Sequence, residues 1–462
     1  MSARRGAAAR AGASAVAVLL AAALAVPASA ATPAASADAA GPDGAGPDSA
    51  VALESALRSG LLATASGRAV PAAAGDLVIE GRGFGHGIGL SQYGAQGRAK
   101  KGQSAQKIAA VYYPGTSPAS ASDTRTLDVW LRGDTDGKLD VVAEKGLRIR
   151  GSDPVAGRTG SLVSLPTTVT SGSRKATPSR WRVSRLSSGW RLQASVGGTW
   201  TTVTSSAIKA TLTGATRVTI SDSDYTVRNV VGSTATEYVG ALNADLTDAA
   251  TRTVNVTLTS SYRSYLRSVV PAEMPSYWHA QALGAQAIAA RTYASYEQAG
   301  GYRPWWWDTC DTTSCQVFKG AASYDLKGRR TATHTTAATD AAVRATAGKI
   351  RTYGGKPAFA QFSASNGGYS VRGSQPYLKA KPDPYDTFAW SVTVSKATLA
   401  RAYPSVGTVT SVSVTRDGKG AYGGRATSVK ITGTGGTTTV TGDQFRLALG
   451  LRSTLFAVTV KR

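Results

Sequence analysis

Residues 271–298 read PAEMPSYWHAQALGAQAIAARTYASYEQ, and this stretch carries the clearest pattern in the chain. From Ala280 to Gln298 the sequence predicts a helix whose first half is apolar or small nearly all round. A helix with such a surface is expected to be buried and closely packed. Just upstream, Glu273 stands in a Pro-Ala-Glu-Met-Pro segment that predicts a rigid loop. The sequence therefore predicts a carboxylate on a loop directly ahead of a buried helix.

Strand patterns surround this helix. Alternating segments between residues 350 and 462 predict strands, with a short helix, DQFRLALG, before the last of them. Residues 124–235 contain short alternating stretches between Gly, Ser and Asp turns, which is an all-β pattern. We therefore predict an α+β fold: a mixed, β-rich core domain with a buried Ala-rich helix, plus an all-β inserted domain at 124–235.

The N-terminus has the layout of an export signal. Residues 1–30 contain an arginine-bearing start, an apolar run and a small-x-small motif at 28–30, which together predict a secretory signal peptide. The apolar run is short for a membrane-spanning helix, which favours a cleaved signal peptide. A retained membrane anchor is the alternative. Residues 31–75 are rich in Ala, Pro and Gly and predict a disordered linker. We expect a secreted, extracytoplasmic protein associated with the cell wall.

The charge balance indicates the kind of partner. The 462-residue chain carries a formal net charge of +24. Basic proteins of this kind bind polyanions such as nucleic acid, anionic lipid or wall polymers. Because an exported protein meets the wall and not the chromosome, we predict anionic wall polymers as partners and no nucleic acid.

A glycine-alternating segment lies near the start of the predicted core. Between 81 and 89 every second residue is glycine, and His86 lies among the intervening side chains. If this stretch is extended, all the glycines lie on one side, where another chain or a ligand can approach the backbone. Ser91 follows as the predicted cap of a short helix.

Three longer stretches together resemble the stage II sporulation protein D (SpoIID/LytB) family. They are YLRSVVPAEMPSYWHAQALGAQAIAARTYAS at 265–295, GFGHGIGLSQYGA at 83–95, and QFSASNGGYS at 361–370 with the tail GDQFRLALGLRSTLF at 442–456. The resemblance covers a core domain formed by residues 76–116 and 236–462. It implies lytic transglycosylase activity on peptidoglycan glycan strands that lack stem peptides. It also implies an association with a cell-wall amidase.

The order of these stretches departs from the family pattern. The Gly-His-Gly stretch is expected near the C-terminus of a family member, directly after the Leu-Arg-Ser-Thr tail, whereas here it comes first. This order resembles a circular permutation, which is tolerated where the termini lie close together. It predicts that a strand at 77–82 pairs with or abuts a strand at 455–460.

The resemblance makes Glu273 the candidate catalytic residue. Cleavage of a link between two amino sugars needs a proton for the leaving oxygen. In a lytic transglycosylase one carboxyl group can donate that proton and then accept one from the sugar's own C6 hydroxyl. The apolar neighbours Val269, Val270 and Met274 are expected to raise the pKa of Glu273. An exposed loop glutamate, or a charge favoured by a helix dipole, is the structural alternative. The functional alternative is a non-catalytic glycan-binding module that stimulates an amidase.

Seven polar residues in the resembling stretches are candidate substrate-binding residues. His86 hydrogen-bonds substrate or orients Glu273, or alternatively fixes its own glycine-rich loop. The others either contact sugar or serve as caps, packing and turns. The seven residues are His86, Ser91, Gln92, Tyr93, Ser363, Ser365 and Asn366.

The two cysteines, Cys310 and Cys315, are the remaining chemical feature. Such a pair in an exported chain usually forms a disulfide. Some family members are expected to bind zinc in this region with His and Cys, but here Ser314 stands at one of the expected ligand positions. We therefore predict a disulfide, no metal and no cofactor, with zinc bound by Cys310, Cys315 and a histidine as the alternative. Of the three successive tryptophans at 305–307, at least one is expected to belong to the core.

Overall fold

The computed structural model describes residues 76–300 and 303–461. The signal peptide and linker predicted at 1–30 and 31–75 therefore lie outside the described residues. In the described part of the chain, no helix is both long and apolar enough to cross a membrane.

The described residues form eight α-helices and two short 3-10 turns. The α-helices are α1 Gln92–Lys100, α2 Ala105–Tyr112, α3 Ser206–Leu212, α4 Tyr262–Glu273, α5 Ala280–Ala299, α6 Ala337–Ala345, α7 Lys396–Ala402 and α8 Gly442–Ala448. The 3-10 turns are Pro404–Val406 and Ala421–Gly423.

The same described residues also form 29 β-strands. They are β1 Leu77–Arg82, β2 Leu90–Ser91, β3 Ser117–Ser120, β4 Thr126–Trp130, β5 Lys138–Val142, β6 Arg148–Asp153, β7 Arg158–Thr159, β8 Val163–Ser164, β9 Val169–Ser171, β10 Arg174–Ala176, β11 Arg180–Leu186, β12 Gly189–Val196, β13 Thr199–Thr202, β14 Arg217–Ser221, β15 Thr226–Val231, β16 Thr234–Val239, β17 Ala241–Asp248, β18 Thr253–Ser261, β19 Thr309–Cys310, β20 Ala322–Asp325, β21 Arg330–Thr333, β22 Lys349–Tyr353, β23 Lys356–Pro357, β24 Phe362–Ser363, β25 Ala389–Val394, β26 Val409–Arg416, β27 Ala426–Gly433, β28 Gly436–Thr441 and β29 Phe456–Val460.

Two large sheets join the predicted insert to the rest of the fold. One sheet has the order β13-β12-β11-β5-β15-β16-β20-β21, and the other runs β19-β4-β18-β17-β14-β6-β7 with β8 beside β6. Strands from 124–235 and strands from 236–333 therefore share both sheets. One hydrophobic core, from Leu127 to Val343, lies under both sets. The predicted α+β class is confirmed, but the boundary predicted after residue 235 falls inside the continuous strand β16.

Helix α5 is buried as its alanine-rich sequence predicts. Its Ala287, Ala290 and Ala294 belong to the core under the large sheets, whereas Leu283 and Ile288 belong to a second core. Small side chains allow neighbours to approach both faces. At Gly284, for instance, a Cβ would lie 3.0 Å from the Cβ of Ala105 in α2. The helix therefore joins two hydrophobic cores, and residues on it reach into the space between them.

The strand pairing predicted from the altered motif order is present. Strand β1 pairs antiparallel with β29, with Leu77 opposite Val460, and with β25 on its other edge. A third hydrophobic core, which includes Leu77, Val429 and Phe456, lies beneath these strands. The pairing at 77–82 and 455–460 is thus confirmed, whereas the permuted ancestry that suggested it stays a prediction.

Candidate active site

Glu273 is the last residue of α4. The sequence predicted a loop from Pro271 onward, and this prediction is wrong because the helix continues for two residues past the proline. A proline within the last turn removes only one backbone donor. The next bond is still made, because the amide of Met274 donates to the carbonyl of Val270 at 3.0 Å. Burial of Val269 and Val270 keeps this end of the helix in place.

The Glu273 carboxyl group is fully enclosed by protein. Its side chain is 0% exposed, so the exposed-loop alternative is excluded. Oε1 accepts a hydrogen bond from the Val317 amide at 2.8 Å, and Oε2 has no hydrogen-bond partner among the described residues. Burial raises the pKa of Glu273 to about 8, against the lowering effects of the Val317 amide and the Lys319 charge. The group is therefore largely protonated at neutral pH and holds a proton that it can donate.

Other buried polar side chains near Glu273 and α5 also have unpaired atoms. Gln316, which precedes Val317, donates from Nε2 to the carbonyl of Ala290 at 3.3 Å, while its Oε1 is unpaired within the described chain. One turn earlier on α5, Gln286 accepts from Gln92 Nε2 at 3.3 Å. The Gln286 Nε2 and Gln92 Oε1 atoms have no partner among described residues.

The last of these residues is Ser363, which lies opposite Ser91 in the β2–β24 pair. The Oγ atom of Ser363 is also unpaired in the described structure. We call these five fully buried side chains the unpaired cluster: Glu273, Gln316, Gln286, Gln92 and Ser363. Most buried polar groups in proteins have partners, so a group of unpaired ones is a candidate ligand site.

Neighbouring motif residues are engaged by a buried carboxylate. Asp386 accepts hydrogen bonds from Ser91 Oγ at 2.7 Å, Ser365 Oγ at 2.7 Å and the Asn366 amide at 2.7 Å. Asp383 accepts from Asn366 Nδ2 at 2.9 Å. Three of the predicted substrate-binding residues therefore make internal bonds that fix the loop.

Two further groups complete this arrangement. Asp383 also accepts from Arg98 at 2.8 Å and from the Tyr112 hydroxyl at 2.6 Å. We call the set the paired cluster: Asp383, Asp386, Ser91, Ser365, Asn366, Arg98 and Tyr112. The sequence analysis missed both aspartates, which stand in the segment KPDPYDTF at 381–388.

Comparison with known proteins identifies the segment that contains most of the unpaired cluster. Residues 250–353 match the family model described as stage II sporulation protein, SpoIID. The chain therefore contains a SpoIID segment at residues 250–353. It is 38% identical over 141 residues to the amidase enhancer of Bacillus subtilis (strain 168), a match that covers 29% of this chain and 17% of that protein.

A second relative gives the same assignment. The chain is 34% identical over 132 residues to stage II sporulation protein D of the same organism, covering 26% of this chain and 38% of the relative. The match therefore spans well under half the length of either relative. Glu273, Gln286 and Gln316 lie inside the SpoIID segment, whereas Gln92 and Ser363 come from outside it.

The glycine-rich segment that precedes Gln92 is not a regular strand. Strand β1 ends at Arg82, and the four glycines 83, 85, 87 and 89 all have positive φ, between 69° and 90°. The prediction of an extended stretch is therefore wrong, because side-chain residues alternate with left-handed glycines. The expected close approach does occur, but by the chain itself. A Cβ at Gly89 would lie 1.9 Å from the carbonyl oxygen of Gln361.

His86 is held within this loop. Its Nδ1 accepts from the amide of Ile88 at 2.9 Å, which fits the loop-fixing alternative. Burial, followed by the charges of Arg425 and Arg446, lowers the pKa of His86 to about 4. The imidazole is therefore neutral at pH 7. Outside the loop, Tyr93 packs against Trp278, with ring centroids 4.9 Å apart.

The cysteines of the SpoIID segment form a disulfide. Cys310 and Cys315 are bonded with Cα atoms 5.4 Å apart. His279 is elsewhere engaged, because its Nδ1 accepts from the Gln281 amide at the start of α5. Across residues 76–300 and 303–461 there is no group of three His, Cys, Asp or Glu side chains that could hold a metal ion. Trp306 is buried, as predicted for at least one of the three tryptophans.

A polar cavity adjoins the segment that follows Val317. It has a volume of about 220 Å³, and its wall includes Ser264, Ser268 and Phe318 but not Glu273. Phe318 directly follows Val317, whose amide binds the carboxyl group. The amide of Lys319 donates to Ser268 Oγ at 3.2 Å. The segment that bonds to Glu273 thus continues directly into the wall of this cavity.

Proposed function

We propose that this protein is an exported peptidoglycan lytic transglycosylase that cleaves glycan strands lacking stem peptides, with Glu273 as its single acid/base. The observation that carries the proposal is the buried, proton-holding carboxyl group of Glu273, with one oxygen fixed by the Val317 amide and the other unpaired in the described structure. The SpoIID assignment and the names of the relatives support a role at the cell wall.

The reaction follows from this protonation state. Protonated Glu273 donates its proton to the glycosidic oxygen as the C1–O bond breaks, which releases the leaving sugar as an alcohol. The resulting carboxylate then takes the proton from the C6 hydroxyl of the retained sugar, whose oxygen bonds to C1. The product has a 1,6-anhydro ring, Glu273 is protonated again, and neither water nor a cofactor is consumed.

The unpaired cluster fits the substrate in this scheme. The amide oxygens of Gln316 and Gln92 and the amide nitrogen of Gln286 supply acceptors and a donor for sugar hydroxyl and acetamido groups. Because Glu273 is 0% exposed, substrate reaches it only after a movement of the surrounding protein, and we propose the Val317–Lys319 segment beside the cavity as the part that moves. Such movements of loops over active sites are common in enzymes.

A second function is favoured by the same enclosure. A carboxyl group that never meets substrate would leave a glycan-binding module that stimulates a wall amidase, and one relative is named amidase enhancer. In that case the protein acts by stimulating the amidase and does not cleave the glycan itself. Anionic wall polymers are compatible with both functions because of the net charge of +24.

Product analysis distinguishes the two functions. The protein without residues 1–30, its Glu273→Gln variant and the control variant Glu80→Gln, at an exposed position of β1, are incubated with amidase-treated, peptide-free strands. We expect 1,6-anhydro-muramyl fragments by mass spectrometry from the wild type and Glu80→Gln, and none from Glu273→Gln. No fragments from any of the three, with equal strand binding by all, would refute the enzyme and support the binding module.

A further inference from the structure

An aromatic surface lies next to the unpaired cluster. The rings of Tyr93 and Phe388 have centroids 4.5 Å apart, those of Tyr93 and Trp278 are 4.9 Å apart, and Phe84 stacks on Phe388 at 6.5 Å. Tyr277, beside Trp278, is 84% exposed. We call these five residues the aromatic platform. Trp278 is buried and Phe84, Tyr93 and Phe388 are half-buried, so the ring edges of the platform reach the surface around the exposed Tyr277. Apolar groups gathered at the surface in this way mark interaction sites.

An arginine lies over this platform. The guanidinium carbon of Arg452 lies 5.8 Å from the ring centroid of Phe84 and 5.6 Å from that of Phe388. The side chain is partly exposed, and it forms no ion pair with any described residue. Arginine stacked on aromatic rings keeps its planar donors available for a carboxylate or phosphate. The platform therefore combines apolar ring faces with one uncompensated positive charge.

The platform borders the candidate active site at two points. Tyr93 directly follows Gln92 of the unpaired cluster, and Tyr277 follows Glu273 by four residues. Four residues span at most about 14 Å. Trp278 also belongs to the hydrophobic core that contains Met274, the residue after Glu273. A strand bound at Glu273 thus passes within reach of the platform.

The combination of ring faces and an arginine matches one kind of sugar. The apolar face of a pyranose ring packs on an aromatic ring, and a carboxylate pairs with a guanidinium. A muramic acid residue carries a lactyl carboxylate. That carboxylate is charged only after its stem peptide is removed, because the peptide converts it to a neutral amide.

We propose that the aromatic platform and Arg452 form a subsite for a carboxylate-bearing amino sugar, in which Arg452 pairs with the free lactyl carboxylate of a peptide-free strand. The inference deepens the proposed function by naming the residue that selects its substrate. It rests on the proposed substrate, but it does not require that Glu273 cleave it. Arg452 is a specificity-determining residue in this scheme.

Binding measurements test this subsite. All proteins carry Glu273→Gln so that no probe is cleaved, and two probes are compared: peptide-free glycan strands and chitin oligosaccharides, which have the β-1,4 amino-sugar backbone without lactyl carboxylates. We expect Arg452→Gln to weaken strand binding tenfold or more and to leave chitin binding unchanged. Arg452→Lys, which keeps the charge, should recover part of the strand affinity. Tyr277→Ala should weaken binding of both probes.

Matched variants and the opposite outcomes complete the test. Arg372→Gln and Tyr353→Ala, at exposed positions away from the platform, should change neither affinity. Thermal melts identify any variant that is unfolded, in which case Arg452→Lys alone decides by its strand-to-chitin affinity ratio. If Arg452→Gln weakens both probes equally, or neither, the subsite is refuted. Failure of the wild type to cleave, with the binding pattern intact, would refute only the proposed enzyme.

Discussion

Two buried polar clusters lie side by side in this protein and differ in how their carboxyl groups are bonded. In the paired cluster, Asp383 and Asp386 receive hydrogen bonds from serine, asparagine, arginine and tyrosine side chains. Only Arg98 Nε in this cluster lacks a partner among the described residues. In the unpaired cluster, each of the five side chains, including Glu273, leaves a polar atom without a partner in the described residues. Both clusters are almost fully buried, so exposure does not distinguish them.

Under the proposed function, the difference separates residues that maintain the fold from residues that bind the substrate. Ser91 and Gln92 are neighbours in one motif, yet Ser91 donates to Asp386 whereas Gln92 keeps an unpaired oxygen. Leaving a buried polar group unpaired costs about 1–3 kcal/mol. Under the proposed function, polar groups of the substrate supply the missing partners and offset these costs.

Removal of the central carboxylate of the paired cluster should have the largest effect on stability. Asp386→Ala leaves buried donors from Ser91, Ser365 and Asn366 unsatisfied, among others, and we expect a loss of about 5 kcal/mol, on the order of 1 kcal/mol or more for each donor. Urea unfolding measures this loss. The matched control is Ser363→Ala in the unpaired cluster, which should cost about 1 kcal/mol or less. Equal losses in the two variants would contradict the distinction between the clusters.

Glu273 provides a pH-dependent test of the unpaired cluster. Its pKa is raised from 4.5 to about 8 in the folded protein, so between these values the folded state binds a proton that the unfolded state has lost. Stability from this group is therefore present below pH 4.5 and falls as pH rises to 8, by a slope that approaches about 1.4 kcal/mol per pH unit.

The Glu273→Gln variant removes this slope. Glutamine resembles the protonated acid, so the variant should match the wild type at pH 4 and be more stable at pH 8 when both are unfolded in urea. Glu80→Gln, on the exposed face of β1, should follow the wild type at both values. A Glu273→Gln variant that is less stable than the wild type at pH 8 would show that the carboxylate is paired and stabilising.

Some of these features could be predicted from sequence and others could not. The burial of α5, the disulfide and the pairing of 77–82 with 455–460 follow from local composition, close spacing or motif order. Asp386 could not be found in this way. Its partner Ser91 lies 295 positions away, and its own segment has no periodic pattern. The helical conformation of Glu273 was missed because burial of the preceding turn outweighs the local preference of Pro271.

The glycine-rich segment shows a different limit. A glycine at every second position was interpreted as an extended strand. The same sequence pattern also fits a loop in which every glycine has a positive φ, as is observed. Which conformation forms depends on contacts with residues 361–371, which local sequence does not encode. The role of His86 was left between substrate binding and loop support. Its partner is the backbone amide of Ile88, and a bond to the backbone leaves no residue pattern in the sequence.

The smallest predicted effect concerns His86 and has the opposite sign to that of Glu273. Burial lowers its pKa from 6.5 to about 4, so between these values the unfolded state binds a proton that the folded state does not. Stability from this group is present above pH 6.5 and is lost as pH falls to 4.

The chain has three histidines, so the imidazole of His86 can be followed by NMR after assignment with His279→Gln and His334→Gln variants. We expect His86 to remain neutral down to about pH 4 and a His86→Gln variant to lose less stability than the wild type between pH 6.5 and 4. Titration of His86 near pH 6.5 would show instead that the imidazole is open to solvent and available to substrate, which would move it from loop support into the binding site.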